Sequence, residues 1–338
     1  MENLGLVGFT GAGANRLFSA LTGLPAPSEY EAAVGIASVP DERLDRLAAM
    51  SESKKVVPAG FELVHLALPP GAEPGEGLGA KFLGSLRNCD AILIVLRAFE
   101  EGGVAPDPAG DLAAIELELV MADIGSVENR LTRQRKPMKT GATETAAEVA
   151  ALEKALAALS DGTPVARAGL TADEISLLSE AFLLTTKPLL IVANSGESTE
   201  ADVTLDDALV VPIDIEAELA AMEPEDRAEM RESYGLGESA LDQVAKRAYH
   251  LLGRRTFLTT GDKESRAWTF RAGAKAPECA GVIHSDLQRG FIRAEVIWWE
   301  ELLEIGSWPK ARDAGKLRVE GKEYEVQDGD VLEIRFNV

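Results

Sequence analysis

Of 338 residues only two are cysteine, Cys89 and Cys279, and only three are histidine, His65, His250 and His284. Two isolated thiols cannot build a disulfide framework, and both read as buried thiols of a chain with a cytoplasmic address. No histidine stands at metal-ligand spacing from another His or a Cys, so each is read as structural and no metal site is expected. No apolar run approaches the ~18 residues of a membrane span. No basic region or cleavage site precedes the first apolar segment, so neither membrane association nor a secretory signal is expected. Internal repeats and low-complexity tracts are also lacking.

Basic charge is scarce as well. Lys and Arg number 34 against 56 Asp and Glu, for a net charge of −22. An anionic body disfavours non-specific binding to nucleic acid, so DNA is not an expected partner and any RNA contact must use a local patch. From Arg255 to the end 13 basic and 15 acidic residues nearly cancel, whereas the first 254 residues hold 21 basic and 41 acidic ones. The near-neutral C-terminal part and the cluster Arg130, Arg133, Arg135, Lys136 and Lys139 are the candidate patches.

What is present is a chain long enough for two or three domains, 46% hydrophobic and 27% charged, hence globular. Short Val-, Ile- and Leu-rich runs at Leu4–Gly8, Phe61–Leu66, Ala91–Arg97, Leu189–Ala193 and Leu209–Ile213 read as buried, largely parallel strands. Helical patterns between several of them predict an α/β domain over 1–112 and 185–254. Residues 113–184 interrupt that alternation with helical spacing (Ile115, Leu119, Ala122, then Val127, Leu131). A break from Arg135-Lys136-Pro137 to Gly141 precedes a second helix, Glu144–Leu159, so two antiparallel helices with a basic tip are expected. Residues 255–338 shift to short alternating segments, such as Arg293–Trp298 and Leu317–Val319, and read as a small β-rich module.

The richest segment is Leu4–Leu21: an apolar strand, a Gly-rich turn, then an amphipathic helix. Gly8 and Gly13 keep the G-x-x-x-x-G spacing of a phosphate-binding loop, whose next residues are Lys and Ser or Thr. Here those positions hold Ala14 and Asn15. Gly8, Gly11 and Gly13 suit a nest of backbone N–H groups, which needs no side chains. The missing Lys is harder to offset, because a hydrogen bond to a charged group contributes roughly 1.5–3 kcal/mol. Arg16 is a weak substitute, since two helical positions rotate a side chain by about 200° away from the loop.

Strings along the whole chain carry a resemblance: LFSALT after the loop, VPDERLDRLA at 39–48, KKVVPA at 54–59 and GEGLGAKFL at 75–83. They continue with KPLLIVAN at 187–194, IEAELA at 215–220, AGVIHSDLQRGFIRAEV at 280–296 and VQDGDVLEIRFNV to Val338. The chain resembles the YchF-type Obg-like ATPases, P-loop proteins with a helical insertion and a C-terminal TGS domain. The resemblance implies a P-loop NTPase-like, mostly parallel α/β sheet, an inserted antiparallel helical arm at 113–184 and a TGS domain at 255–338. It also implies an Asp-x-x-Gly that holds Mg²⁺ and senses the γ-phosphate, where this chain has His65-Leu66-Ala67-Leu68. A first-switch Thr is replaced by Glu29 and a proposed catalytic His by Ile94. With these groups missing, no catalytic residue is expected and hydrolysis is expected to be lost, because phosphoryl transfer rests on that electrostatic clamp.

One nucleotide element remains. Asn194-Ser195-Gly196-Glu197 matches the family's base-reading Asn-x-x-Glu, although Asn and Gly after a strand also make an ordinary turn. The nucleotide-binding candidates are therefore Gly8, Gly11, Ala12, Gly13, Ala14 and Asn15 for phosphate, with Asn194 and Glu197 for the base. ATP or GTP is expected to bind weakly or not at all, without Mg²⁺. Arg266 beside Trp268, and Arg289 and Arg293 around Phe291, place basic and aromatic groups together as RNA contacts can, or as a packed Trp with surface ion pairs. The expected function is a regulatory, nucleotide-binding-type protein engaging a ribosome, structured RNA or a protein partner. The rivals are an active ATPase or GTPase with unorthodox residues and a nucleotide-independent adaptor. A dinucleotide site is not expected, because the third glycine of G-x-G-x-x-G is missing and the large helical insertion does not fit it.

Overall fold

The computed structural model describes residues 2–69, 77–138, 143–198 and 205–337. In chain order it forms β1 (Asn3–Val7), α1 (Ala14–Thr22), β2 (Ala33–Val39), α2 (Glu42–Met50), β3 (Val56–Val57), β4 (Ala59–His65), α3 (Ala80–Leu86) and β5 (Ala91–Arg97). Two long helices follow, α4 (Pro108–Met138) and α5 (Thr143–Ser160), then α6 (Ala172–Leu177), β6 (Leu189–Asn194) and β7 (Leu209–Val211). After α7 (Ile213–Ala220), α8 (Pro224–Ser233) and α9 (Ala240–Leu251) come β8 (Arg254–Thr259), β9 (Ser265–Arg271), α10 (Ala276–Ile283) and α11 (Ser285–Arg289). The chain closes with β10 (Phe291–Trp298), α12 (Trp299–Ile305), α13 (Trp308–Asp313), β11 (Arg318–Glu320) and β12 (Asp330–Phe336).

The chain divides into two compact units, residues 1–35 with 62–244 and residues 36–61 with 245–338. The first sheet has the order β2-β4-β1-β5-β6-β7. Its β1–β4, β1–β5, β5–β6 and β6–β7 ladders are all parallel, as the five apolar runs predict. β5 is buried along six of its seven residues, which is why its sequence is an unbroken apolar run rather than an alternation.

The apolar stripe of α4 divides between two cores. Ile115 and Leu119 join Leu66, Leu78, Phe82 and Ile92 against the sheet. Val127 and Leu131 pack instead with Val149, Leu152 and Leu159 of α5. Each such buried aliphatic side chain contributes about 1.5–3 kcal/mol, enough to hold an antiparallel pair together. The expected break at Arg135-Lys136-Pro137 is not observed, because α4 runs on to Met138. Lys139 and the turn through Gly141 lie outside the described residues, as do Gly75 and Glu76 of the GEGLG run.

Where α4 meets the sheet, Asp123 is completely buried and accepts four hydrogen bonds. They come from Leu184 N (2.9 Å), Thr185 N (2.7 Å), Thr185 Oγ1 (2.8 Å) and Arg87 (3.1 Å). This carboxylate fixes the turn that leads into β6, and hence the strand that delivers Asn194.

The second unit is built on a sheet of order β11-β10-β12-β8-β9-β3. Phe257, Phe270, Phe291, Val296 and Leu332 form its core with α10. Residues 36–61 belong to this unit: β3 pairs with β9, and Arg43 of α2 bonds Asp328 at 3.1 Å.

Candidate functional site

The segment between β1 and α1 adopts the nest that its glycines permit. Gly11 and Gly13 have φ of +80° and +93°, a region closed to most L-residues. A Cβ on Gly13 would lie 2.5 Å from Asn194 Nδ2, so the loop and Asn194 are in close contact. Gly13 caps α1 with no side-chain partner, leaving the helix N-terminus directed at whatever lies before it.

Asn194, buried at the end of β6, serves this loop. Its Nδ2 donates to the Ala12 carbonyl at 3.0 Å, and its Oδ1 accepts from Gly196 N at 2.9 Å and Ile213 N at 3.4 Å. This amide, expected to read a base, braces the loop and the start of α7. Glu197 is exposed and does not line the cavity beside Asn194.

That cavity has a volume of about 360 Å³ and opens over Gly11, Gly13 and Asn15. Among the described residues its charged walls are mostly acidic: Glu29, Glu101 and Asp214 face one cation, Arg16. Arg16 was expected to point away from the loop; its guanidinium reaches the cavity wall and pairs with Asp214 in the first turn of α7. A Cβ on Gly11 would stand 2.9 Å from Glu101 Oε2, so that carboxylate crowds the loop. Glu29 goes further, its Oε1 accepting from Gly11 N at 2.9 Å. A carboxylate therefore holds one of the N–H groups that a phosphate oxygen would use.

The segment carrying Glu29 is fastened in three other places. Asn15 Nδ2 donates to the Pro27 carbonyl at 3.4 Å, Leu68 N donates to the Glu29 carbonyl at 2.9 Å, and His65 Nδ1 donates to the Glu31 carbonyl at 2.9 Å. The last contact puts the His65 proton on Nδ1, since a carbonyl only accepts. Burial holds His65 neutral, with its pKa below the ordinary value, against the opposing pull of the Glu31 carbonyl and the Glu29 charge. Its ring meets Phe18 edge-on at 6.1 Å, a packing role. Ile94 and Leu68 both lie in the apolar cluster under the sheet, Ile94 with 0% exposure. Those two positions present methyl groups to a core and no polar group to the cavity.

These residues do not fit a Mg²⁺-triphosphate. The loop has no Lys, the hydroxyl position is an amide bonded to Pro27, and the carboxylates of Glu29 and Glu101 stand against Gly11. Among the described residues no group of three or more His, Cys, Asp or Glu side chains is placed to hold a metal ion.

Comparison with known proteins gives this geometry its context. The chain is 42% identical over 361 residues to the ribosome-binding ATPase YchF of Bacillus subtilis (strain 168), covering 99% of both. The chain belongs to the YchF family. The YchF protein of Haemophilus ducreyi (strain 35000HP / ATCC 700724) is 40% identical over 358 residues, again covering 99% of each. A model of the YchF-GTPase C-terminal region, described as a protein of unknown function (DUF933), matches residues 255–337. The solved structure of the Schizosaccharomyces pombe YchF GTPase superposes with a TM-score of 0.88 at 29% identity, covering 99% of this chain and 97% of that one. The α/β fold expected from the strings is therefore that of YchF. The 361-residue alignment exceeds the 338 residues of this chain, so this YchF member carries deletions relative to its relative.

The basic candidates fare unequally. Arg130 is held between Glu148 (2.6 Å) and Glu180 (2.7 Å), joining α4 to α5 and the segment beyond it. Arg133 is exposed on α4; the side chains of Arg135 and Lys136 lie outside the described residues. Arg266 stacks over Trp268 at 4.7 Å and pairs with Glu264 at 3.2 Å, while Trp268 Nε1 donates to Thr259 at 3.0 Å. These contacts leave Arg266 half-buried at the surface. Arg289 pairs with Asp286, three residues before it in α11, and Arg293 is exposed on β10. Glu101, Asp214 and Asp123 were not read from sequence as functional or structural centres. Glu101 lay inside a Gly-Gly turn, and the other two depend on partners distant in the chain.

Proposed function

We propose that this protein is a ribosome-associated member of the YchF family that has lost ATP and GTP hydrolysis. The observation that carries the loss is the Glu29 carboxylate on Gly11 N–H in a loop whose Lys and hydroxyl positions are Ala14 and Asn15. An anion already bonded to the nest, with Glu101 beside it, opposes a phosphate chain by like-charge repulsion. Nucleotide contact is accordingly weak and independent of Mg²⁺, and Asn194 supports it only by holding the loop's shape.

Ribosome association follows from the function that the Bacillus and Haemophilus relatives are named for, together with alignments that span 99% of this chain and of each relative. It implies a cytoplasmic protein, and among the described residues no helix is long and apolar enough to cross a membrane. The proposed contacts are Arg133, Arg135 and Lys136 near the end of α4, within an arm domain at 113–184. Arg266, Arg289 and Arg293 of a TGS domain at 255–338 would supplement them. Basic side chains on an anionic body capture RNA phosphate locally and lose that hold as salt rises.

Co-sedimentation with ribosomes at low and moderate salt tests this reading. Association is expected at low salt, falling steeply with added salt and reduced several-fold in the R133E/R135E/K136E variant. Absence of any association at low salt, or association indifferent to that charge reversal, would favour the protein adaptor instead.

A further inference from the structure

We propose that Glu29 is a built-in substitute for nucleotide phosphate that latches the two segments a nucleotide would otherwise order. In nucleotide switches, two loops are held by contacts to the terminal phosphate and relax when it is lost. Here one backbone donor of the glycine loop and one beyond β4 are met by a single residue of the chain itself. The side chain of Glu29 accepts from Gly11 N at 2.9 Å, and its carbonyl accepts from Leu68 N, three residues beyond the end of β4, also at 2.9 Å. Leu68 stands where the family resemblance puts the phosphate-sensing Gly, so its N–H has exchanged a phosphate oxygen for a peptide oxygen.

Neighbouring contacts support the same arrangement. Asn15, at the metal-binding hydroxyl position, reaches Pro27 two residues before Glu29, and His65 reaches Glu31 two residues after it. Leu68 itself is anchored in the apolar cluster with Phe9, Leu66 and Leu78, which gives the latch a rigid backing. The hydrogen bond from a backbone N–H to an ionised carboxylate is charge-assisted and stronger than one between neutral groups. The residue that excludes phosphate is thus also the residue that makes phosphate unnecessary for order. A protein built this way keeps a single arrangement of residues 27–31 and 66–69, whatever the nucleotide concentration.

This inference rests on the reading of the loop as a phosphate site stripped of its chemistry, but its test does not involve ribosomes or turnover. Hydrogen exchange of Gly11 and of the amides in residues 28–31 and 66–68 is measured in the full-length wild type, E29Q and E29A, with and without ADP and with inorganic phosphate. E29Q keeps an acceptor and removes only the charge, so it guards against a variant that simply misfolds; urea denaturation of each variant checks that the whole chain remains folded. Wild type is expected to show strong protection that ADP does not change. E29A is expected to lose protection in both segments and to regain it with ADP. Its affinity for ADP and phosphate in calorimetry is expected to rise by about tenfold, the worth of one hydrogen bond to a charged group. E29Q should fall between the two. Unchanged protection in E29A would overturn the latch, and lost protection with no gain in ADP or phosphate affinity would overturn the phosphate substitution. Either result leaves the ribosome and turnover measurements standing, whereas tight Mg²⁺-dependent nucleotide binding by the wild type would remove the premise itself.

Discussion

Purified protein with ATP or GTP and Mg²⁺ is expected to release no phosphate above the background of a G13L variant. That variant is the proper reference because Gly13 has φ +93° and its Cβ would meet Asn194 at 2.5 Å, so any side chain there disrupts the loop. The expectation does not rest on Ala14 alone. Asn15 bonds Pro27, Glu29 bonds Gly11, Leu68 and Ile94 lie in an apolar core, and His65 is buried and neutral. Restoring the motif with A14K and N15T should recover part of the phosphate affinity, about one to two powers of ten for the Lys. It should leave turnover absent, because the metal clamp and the water-orienting position remain apolar or blocked. Wild-type turnover that disappears in G13L would show that unorthodox residues do the work.

The second large effect lies away from the cavity. D123A is expected to lower stability by about 3–5 kcal/mol, the usual cost of removing one partner from a buried ion pair. The loss leaves Leu184 N, Thr185 N and the Thr185 hydroxyl without their acceptor, and Arg87 without its carboxylate. D123N should be milder, since its carbonyl oxygen still accepts two of these bonds while its amide opposes the remaining donors. Urea denaturation followed by circular dichroism measures the difference. A loss below about 1 kcal/mol would mean that the turn before β6 is held by its apolar packing instead.

Much of the first unit was legible because its strands are short apolar runs with sharp boundaries, a pattern that burial on both faces imposes. The arm was legible for a similar reason: Ile115, Leu119, Val127 and Leu131 recur at helical spacing. The spacing did not reveal that the first pair serves the sheet and the second serves α5. Pro137 misled, since it removes one backbone bond from a 31-residue helix whose packing against α5 keeps it in register. β2 escaped notice because its alternation is inverted in size, with Val34 and Ile36 exposed and Gly35 and Ala37 buried. Nothing local announced that residues 36–61 pack with the C-terminal residues, for that depends on pairings such as β3 with β9.

The site divides along the same line. Gly8, Gly11 and Gly13 were legible from spacing, as was the loss of Lys and hydroxyl at Ala14 and Asn15. Asn194 was found through its motif, but its bonds to Ala12, Gly196 and Ile213 depend on the fold. Glu29 was visible only as a replacement for a Thr, and its bond to Gly11 spans 18 residues. The Arg16 pairing with Asp214 spans 198. Such contacts are set by the fold and leave no periodic trace in the chain.

Loss of hydrolysis requires that this loop not hold a nucleotide phosphate with its metal. Calorimetric titration of the full-length protein with ATP, in the presence and absence of Mg²⁺, addresses that directly. Weak or unmeasurable binding, the same in both buffers, is the predicted result; tight binding that requires Mg²⁺ would contradict it.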